Sequence, residues 1–227
     1  HNFMNVNCGI MDQFIISTGK KNTAIVLDCN TLEYEYVPLE LGDYRFVVMN
    51  TNKQRRLADS KYNERRSQCE EALKILQDEG VKISALCDLS PAQWENSKGL
   101  IKDELLVRRA KHCVYENQRV KDAVSALKAG NLEKLGKLLN ESHESLKNDY
   151  EVTGIELDTL AETAQKQDGC IGARMTGAGF GGCGIALVHK DELEQFVENV
   201  QNEYKKVVGY EASFFDCESG DGVSRFN

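Results

Sequence analysis

Three stretches of the sequence hold residue types able to do chemistry. In Cys8-Gly9-Ile10-Met11-Asp12-Gln13-Phe14 a single carboxylate stands among apolar neighbours. Such a carboxylate can be partly desolvated, and a base within hydrogen-bond reach of a hydroxyl can take its proton. Asp also caps helices and sits satisfied in cores, so residue chemistry alone leaves Asp12 open between base and structural residue. The second stretch is Ser60-Lys61-Tyr62-Asn63-Glu64-Arg65-Arg66, where Tyr62 precedes a helix and offers a phenolic hydroxyl and a flat face. Lys53, Arg55, Arg56, Lys61, Arg65 and Arg66 make a basic cluster there, most of which reads as a solvated helix start.

The third stretch, Gly177-Ala178-Gly179-Phe180-Gly181-Gly182, satisfies GxGxxG. Dinucleotide binding needs a strand before that motif and a helix opening at its end. The following Cys183-Gly184-Ile185-Ala186-Leu187-Val188 is strand-like, which excludes that use, and no Gly-Lys-Ser/Thr follows to make a nucleotide P-loop. Two readings stay open. One is a tight turn in which glycines avoid steric clash. The other is a loop whose backbone approaches a ligand, its bare N–H groups facing an anion beside Thr176 and Arg174. No His or carboxylate cluster has metal-ligand spacing, so no residue is assigned to a metal.

The elements around these stretches follow from periodicity. Residues 23–37 alternate as a hairpin that turns at Asn30-Thr31 and puts Tyr34 and Tyr36 on one face. Gly42-Asp43 breaks the chain, and Tyr44 to Met49 reads as a buried strand. Cys69, Ala72, Leu73 and Leu76 fall at helical spacing before Gly80. Ser90-Pro91 is an N-cap followed by Pro at the first helical position. Leu106, Ala110, Cys113, Val120, Ala123, Val124 and Leu127 form the stripe of a long helix closed by Gly130, with Asn131 capping the next. That next helix carries Leu135, Leu138, Leu139 and Leu146, and a further one runs over residues 156–166. Ile185 to His189 is a strand, a helix with Leu193, Phe196, Val197, Val200, Tyr204 and Val207 follows, and Ala212 to Phe215 is the last strand. Strands, then helices, then strand–helix–strand imply an α+β fold.

Composition narrows the function classes. With 28 Lys and Arg against 36 Asp and Glu, the chain lacks the basic footprint of a nucleic-acid binder. No apolar run is long enough to span a membrane, and no signal peptide is visible. The 8 cysteines show no CxxC pair, and they read as reduced cytosolic residues that act as small hydrophobes. The opening His1-Asn2-Phe3, without Met, reads as the start of a fragment.

Three blocks, in their order and gaps, resemble the galactokinase family of the GHMP small-molecule kinases. They are Cys8 to Phe14; Ser60, Tyr62, Asn63, Arg65, Arg66, Cys69 and Glu70; and Arg174 to Cys183. The last block alone marks a GHMP kinase, and the first two point to galactokinases. The ending Gly220-Asp221-Gly222 also resembles the family's C-terminus, so the resemblance spans essentially the whole chain. It implies that residues 1–42 are the tail of the family's N-terminal domain and residues 43–227 its C-terminal domain.

The resemblance further implies ATP-dependent phosphorylation of galactose at its anomeric hydroxyl. Asp12 matches the family's general base, and Gly9, Asp12 and Tyr62 match its sugar contacts. Thr176, Gly177, Ala178, Gly179, Phe180, Gly181 and Gly182 match the loop that closes the site near sugar and phosphates. The implied partners are galactose and ATP, with Mg2+, in the cytoplasm, with no nucleic acid and no membrane. The family's phosphate loop, stabilising Arg and Mg2+ ligands match nothing here and are expected in an N-terminal half, so this stretch alone is expected to be inactive. A galactokinase-like sugar sensor and an N-acetylgalactosamine kinase are the alternatives. The block around Tyr62 argues against mevalonate and homoserine kinases.

Overall fold

The computed structural model describes residues 9–53 and 61–224. Cys8, Arg55, Arg56, Ser60 and the opening His1-Asn2-Phe3 lie outside the described residues. A helix α1 (Met11–Thr18) comes first, then strands β1 (Thr23–Leu27) and β2 (Tyr34–Pro38). The strands pair antiparallel with Leu27 opposite Tyr34, as the alternating pattern predicts. Asp28 Oδ1 accepts the amides of Asn30 and Thr31 and closes the turn. The rings of Tyr34 and Tyr36 meet edge to face at 5.5 Å.

After β3 (Tyr44–Asn50) the chain becomes helical: α2 (Tyr62–Asp78), α3 (Pro91–Ser97), α4 (Glu104–Lys128), α5 (Leu132–Ser145) and α6 (Ile155–Ala164). The caps are those the residue types predict. Ser90 and Gln93 form a capping box on α3, and Asn131 Oδ1 accepts the amide of Lys134 on α5. The α4 stripe is only partly covered, since Val120 is 44% exposed. Leu146 lies beyond α5, in a π-helical turn (Leu146–Tyr150).

The chain ends with β4 (Cys170–Thr176), β5 (Cys183–His189), α7 (Leu193–Val208) and β6 (Ser213–Cys217). Sequence pattern misses β4, because a run of Cys, Gly, Ala and Arg alternates too weakly to read as a strand. The second sheet has the order β4-β5-β3-β6, all neighbours antiparallel. Helices α6 and α7 cover one of its faces. Val47, Met49, Ala173, Ala186 and Val188 of the sheet pack there on Leu160, Phe196, Val200 and Tyr204. A second core joins α2, α3 and α4 around Leu76, Trp94 and Ala110. A third, small cluster of Leu146, Val152, Leu157 and Met175 has Phe180 packed against it.

Strand β4 is an edge strand, and its outward groups need partners other than another strand. Helix α5 supplies two of them by lying unusually close. A Cβ at Gly136 would fall 2.1 Å from the Ile171 carbonyl oxygen, and one at Gly172 would fall 2.3 Å from that of Gly136. Only glycine at both positions permits this approach. On the same face of α5, Asn140 Oδ1 accepts the Ala173 amide at 2.8 Å and His143 Nδ1 accepts the Met175 amide at 3.2 Å. Gln165 Nε2 donates to the Ala173 carbonyl, and Arg174 Nε donates to that of Met175. The edge is thus closed by side chains.

Candidate functional site

The glycine-rich stretch is the hairpin loop between β4 and β5, with Thr176 paired to Cys183. A strand follows the motif, as the sequence indicates. The loop is anchored at three points. The Met175 amide binds His143 just before it, the Phe180 amide donates to the Val152 carbonyl at 2.7 Å, and the Gly182 carbonyl accepts from the Thr51 amide at 2.8 Å. Phe180 adopts a left-handed φ of 58° in the middle of the turn. Gly179 is buried at φ 80°, and a Cβ there would sit 2.2 Å from the Val152 oxygen. Glycine is therefore required at 179 by both backbone angle and contact. Gly177 and Ala178 at the tip are exposed, while Thr176 and Gly182 are half-buried and Gly181 is buried.

Beside the loop runs a groove of about 430 Å³, lined by Lys53, Lys61, Arg65, Val152, Gly154 and Phe180. The N-terminus of α2 thus meets the glycine-rich loop, which sequence spacing alone does not show. Tyr62 is the first residue of α2 and is half-buried. Arg65 departs from the expected solvated helix start. It is 5% exposed, and it donates to the carbonyls of Tyr150 and Glu151. Lys53 is paired with Glu156 at 3.0 Å. The groove combines cationic side chains with a helix N-terminus, a setting that favours an anionic ligand.

The far wall of the groove, residues 151–154, is held from behind. Glu151 has a left-handed φ of 55°, an uncommon angle for a residue with a side chain. Its carboxylate is gripped by Arg109, and by Arg108 at 3.0 Å. The hydrogen bond from Arg109, with that from Arg108, holds the Glu151 carboxyl below the usual range. His112 stacks on Tyr150 at 4.5 Å and hydrogen-bonds Ser145 at 3.0 Å. Burial pushes its pKa down to about 4. Burial also raises that of the Tyr150 phenol, helped by the neighbouring Cys69 thiol.

Asp12 occupies the first turn of α1 and is exposed. Its helix is tied to other elements: Tyr36 Oη donates to the Thr18 carbonyl, and the amides of Gly222 and Val223 donate to Gly19 and Ile16. Gly9 is exposed, and a Cβ there would meet nothing within 4 Å among the described residues. The described structure thus joins Lys61 and Arg65, on either side of Tyr62, to Phe180 of the loop through one groove, and leaves Gly9 and Asp12 on a separate element.

Sequence reasoning missed Arg109, His143 and Asp158. A signal existed for two of them. Arg109 lies beside Leu106 and Ala110 in α4, and His143 continues the Leu135–Leu139 face of α5, so each places a polar group where the period calls for an apolar one. The cysteines are also more varied than small core hydrophobes. Cys29 and Cys87 are exposed, and Cys69 and Cys113 have their sulfurs 3.6 Å apart.

Residues 123–206 match the family of GHMP kinases C terminal. The chain is 57% identical over 220 residues to a galactokinase of Clostridium perfringens, covering 97% of this chain and 57% of that protein. It is 56% identical over 221 residues to a galactokinase of Staphylococcus carnosus, again covering 57% of it. The structure of Lactococcus lactis galactokinase complexed with galactose superposes with a TM-score of 0.95 at 56% identity, covering 99% of this chain and 58% of that one. The chain therefore spans rather more than half the length of the relatives it matches.

Proposed function

We propose, for a chain that belongs to the galactokinase family of GHMP kinases, that it forms part of an enzyme phosphorylating galactose at its anomeric hydroxyl with ATP. The observation that carries this is the fit of nearly the whole chain onto a galactose-bound galactokinase. In this reading residues 1–42 close an N-terminal domain and residues 43–227 form the C-terminal one, and the enzyme works in the cytoplasm.

Asp12 is the general base. It accepts the O1 proton as O1 bonds to the γ-phosphorus and the bond from phosphorus to the ADP oxygen breaks. Tyr62 and Gly9 contact the sugar. The loop from Thr176 to Gly182 lies against the phosphates, with Lys53 and Lys61 supplying positive charge along the groove. Such a site works by positioning and charge stabilisation more than by covalent chemistry.

Mg2+ would screen the phosphate charge, but the described residues do not fit it. The cluster nearest to a metal site is His143, Asp158 and Glu162. Mg2+ prefers an all-oxygen octahedron, and Glu162 is paired with Lys147. No step is assigned to these residues through a metal.

The test uses a full-length kinase carrying this sequence. ADP release should depend on galactose, and phosphorus NMR of the product should place the phosphate on C1. No galactose-dependent ADP release, or faster turnover of N-acetylgalactosamine, would overturn the reading.

A further inference from the structure

A buried histidine and a half-buried carboxylate outside the proposed sugar site meet under the glycine-rich loop. His143 is 1% exposed, and its Nδ1 accepts the Met175 amide. The ring proton must then sit on Nε2, because a proton on Nδ1 would point at another N–H. Nε2 faces Asp158 Oδ1 at 3.5 Å, and among the described residues neither atom has a closer hydrogen-bond partner. Burial works to raise the Asp158 carboxyl pKa. The neighbouring His143, Thr153 and Lys147 outweigh it and hold that carboxyl below its ordinary value.

We propose that His143 is a positioning residue for the 176–182 loop, with Asp158 orienting its ring. The geometry ties the loop root to one carboxylate: Asp158 faces His143, which holds the last outward amide of β4. The other support is the Val152 carbonyl, which receives the Phe180 amide. The close approach at Gly136 and Gly172 brings α5 within reach of that amide. Without an acceptor at 143, the buried Met175 N–H would be left unpaired, and the loop root would shift to find one. A metal ion on the same cluster is disfavoured by the tautomer, since an Nε2 that carries a proton has no lone pair to offer.

The link to turnover rests on the function proposed above, and the test separates the two. In the full-length kinase, His143→Leu removes the acceptor, while His143→Asn returns an amide oxygen near the position of Nδ1. Turnover by His143→Leu should fall roughly 10–100-fold, with the KM for galactose changed by less than about twofold. Hydrogen exchange of the 176–182 amides should speed up in the Leu variant, and Asn should restore most of both properties. Wild-type exchange and turnover in His143→Leu would overturn the proposal. So would equal impairment of both variants in step with falling melting temperature, or one equivalent of zinc retained by the wild type and lost from His143→Leu. If the wild type shows no galactose-dependent ADP release, the reaction reading fails, and the exchange comparison still decides the anchor.

Discussion

The two sides of the proposed site are held in opposite ways. Helix α1, which carries Asp12, has no buried residue, and Met11 and Ile16 are more than half exposed. Among the described residues its ties are backbone hydrogen bonds to residues 222 and 223, one tyrosine hydroxyl, and the edge-to-face contact of Phe14 with Tyr34 at 5.1 Å. Strand β4 and its loop are the reverse. The outward amides and carbonyls of Ala173 and Met175 each have a side-chain partner, and Gly179 has no room for a Cβ. A loop that must approach a ligand with its backbone has to be positioned from beneath, because it lacks side chains to position itself.

If that contrast holds, substitutions on the first side should cost activity alone, and those on the second should act through the packing that holds the loop. The largest effect is expected from Asp12→Ala in the full-length kinase, with turnover down about a hundredfold or more. Its melting temperature should stay within about 2 °C of the wild type. A matching loss of stability would make Asp12 a structural residue and erase the contrast.

The next effect tests the buried side by pH. The folded His112 binds its proton only near pH 4, against an ordinary 6.5. Between these values the unfolded chain takes up a proton that the folded one refuses, so stability should fall as pH drops from about 6.5 towards 4. The full loss is about 3 kcal/mol. Urea unfolding at pH 7 and pH 5 should show the slope in the wild type and a flatter one in His112→Asn. Equal slopes would mean that His112 is not held neutral by burial.

Gly136→Ala should push α5 off β4, lowering stability by about 1–3 kcal/mol and slowing turnover by loosening Asn140 and His143. An unchanged urea midpoint would show that the close approach is not needed. The smallest effect is expected from Gly9→Ala, whose Cβ meets nothing within 4 Å among the described residues. Stability should move by less than about 0.5 kcal/mol, with any change confined to the KM for galactose. A clear drop in melting temperature would place Gly9 among the packed residues.

Much of the architecture is legible in the text of the chain. The hairpin at Asn30-Thr31, the caps at Ser90 and Asn131 and the stripe on α7 follow from local rules, because turns, caps and amphipathic faces depend on neighbours a few residues away. Strand β4 is not legible, because its strand character comes from pairing with β5 and from side chains of α5 and α6. Arg65 misleads in the same way. It belongs to a run of charges that reads as a solvated helix start, yet the carbonyls that bury it lie at residues 150 and 151.

The sequence by itself determined the α+β order of elements, the acidic character that excludes a nucleic-acid footprint, and the three blocks whose resemblance points to a galactokinase. Each of these is written in residue type, spacing and count. Only the tertiary structure decided that the start of α2 and the glycine-rich loop share a groove, that α5 closes the open edge of β4, and that His143 and Asp158 meet under the loop root. Those facts depend on which distant segments touch, and a contact between residues 143 and 175 leaves no local period by which the chain could announce it.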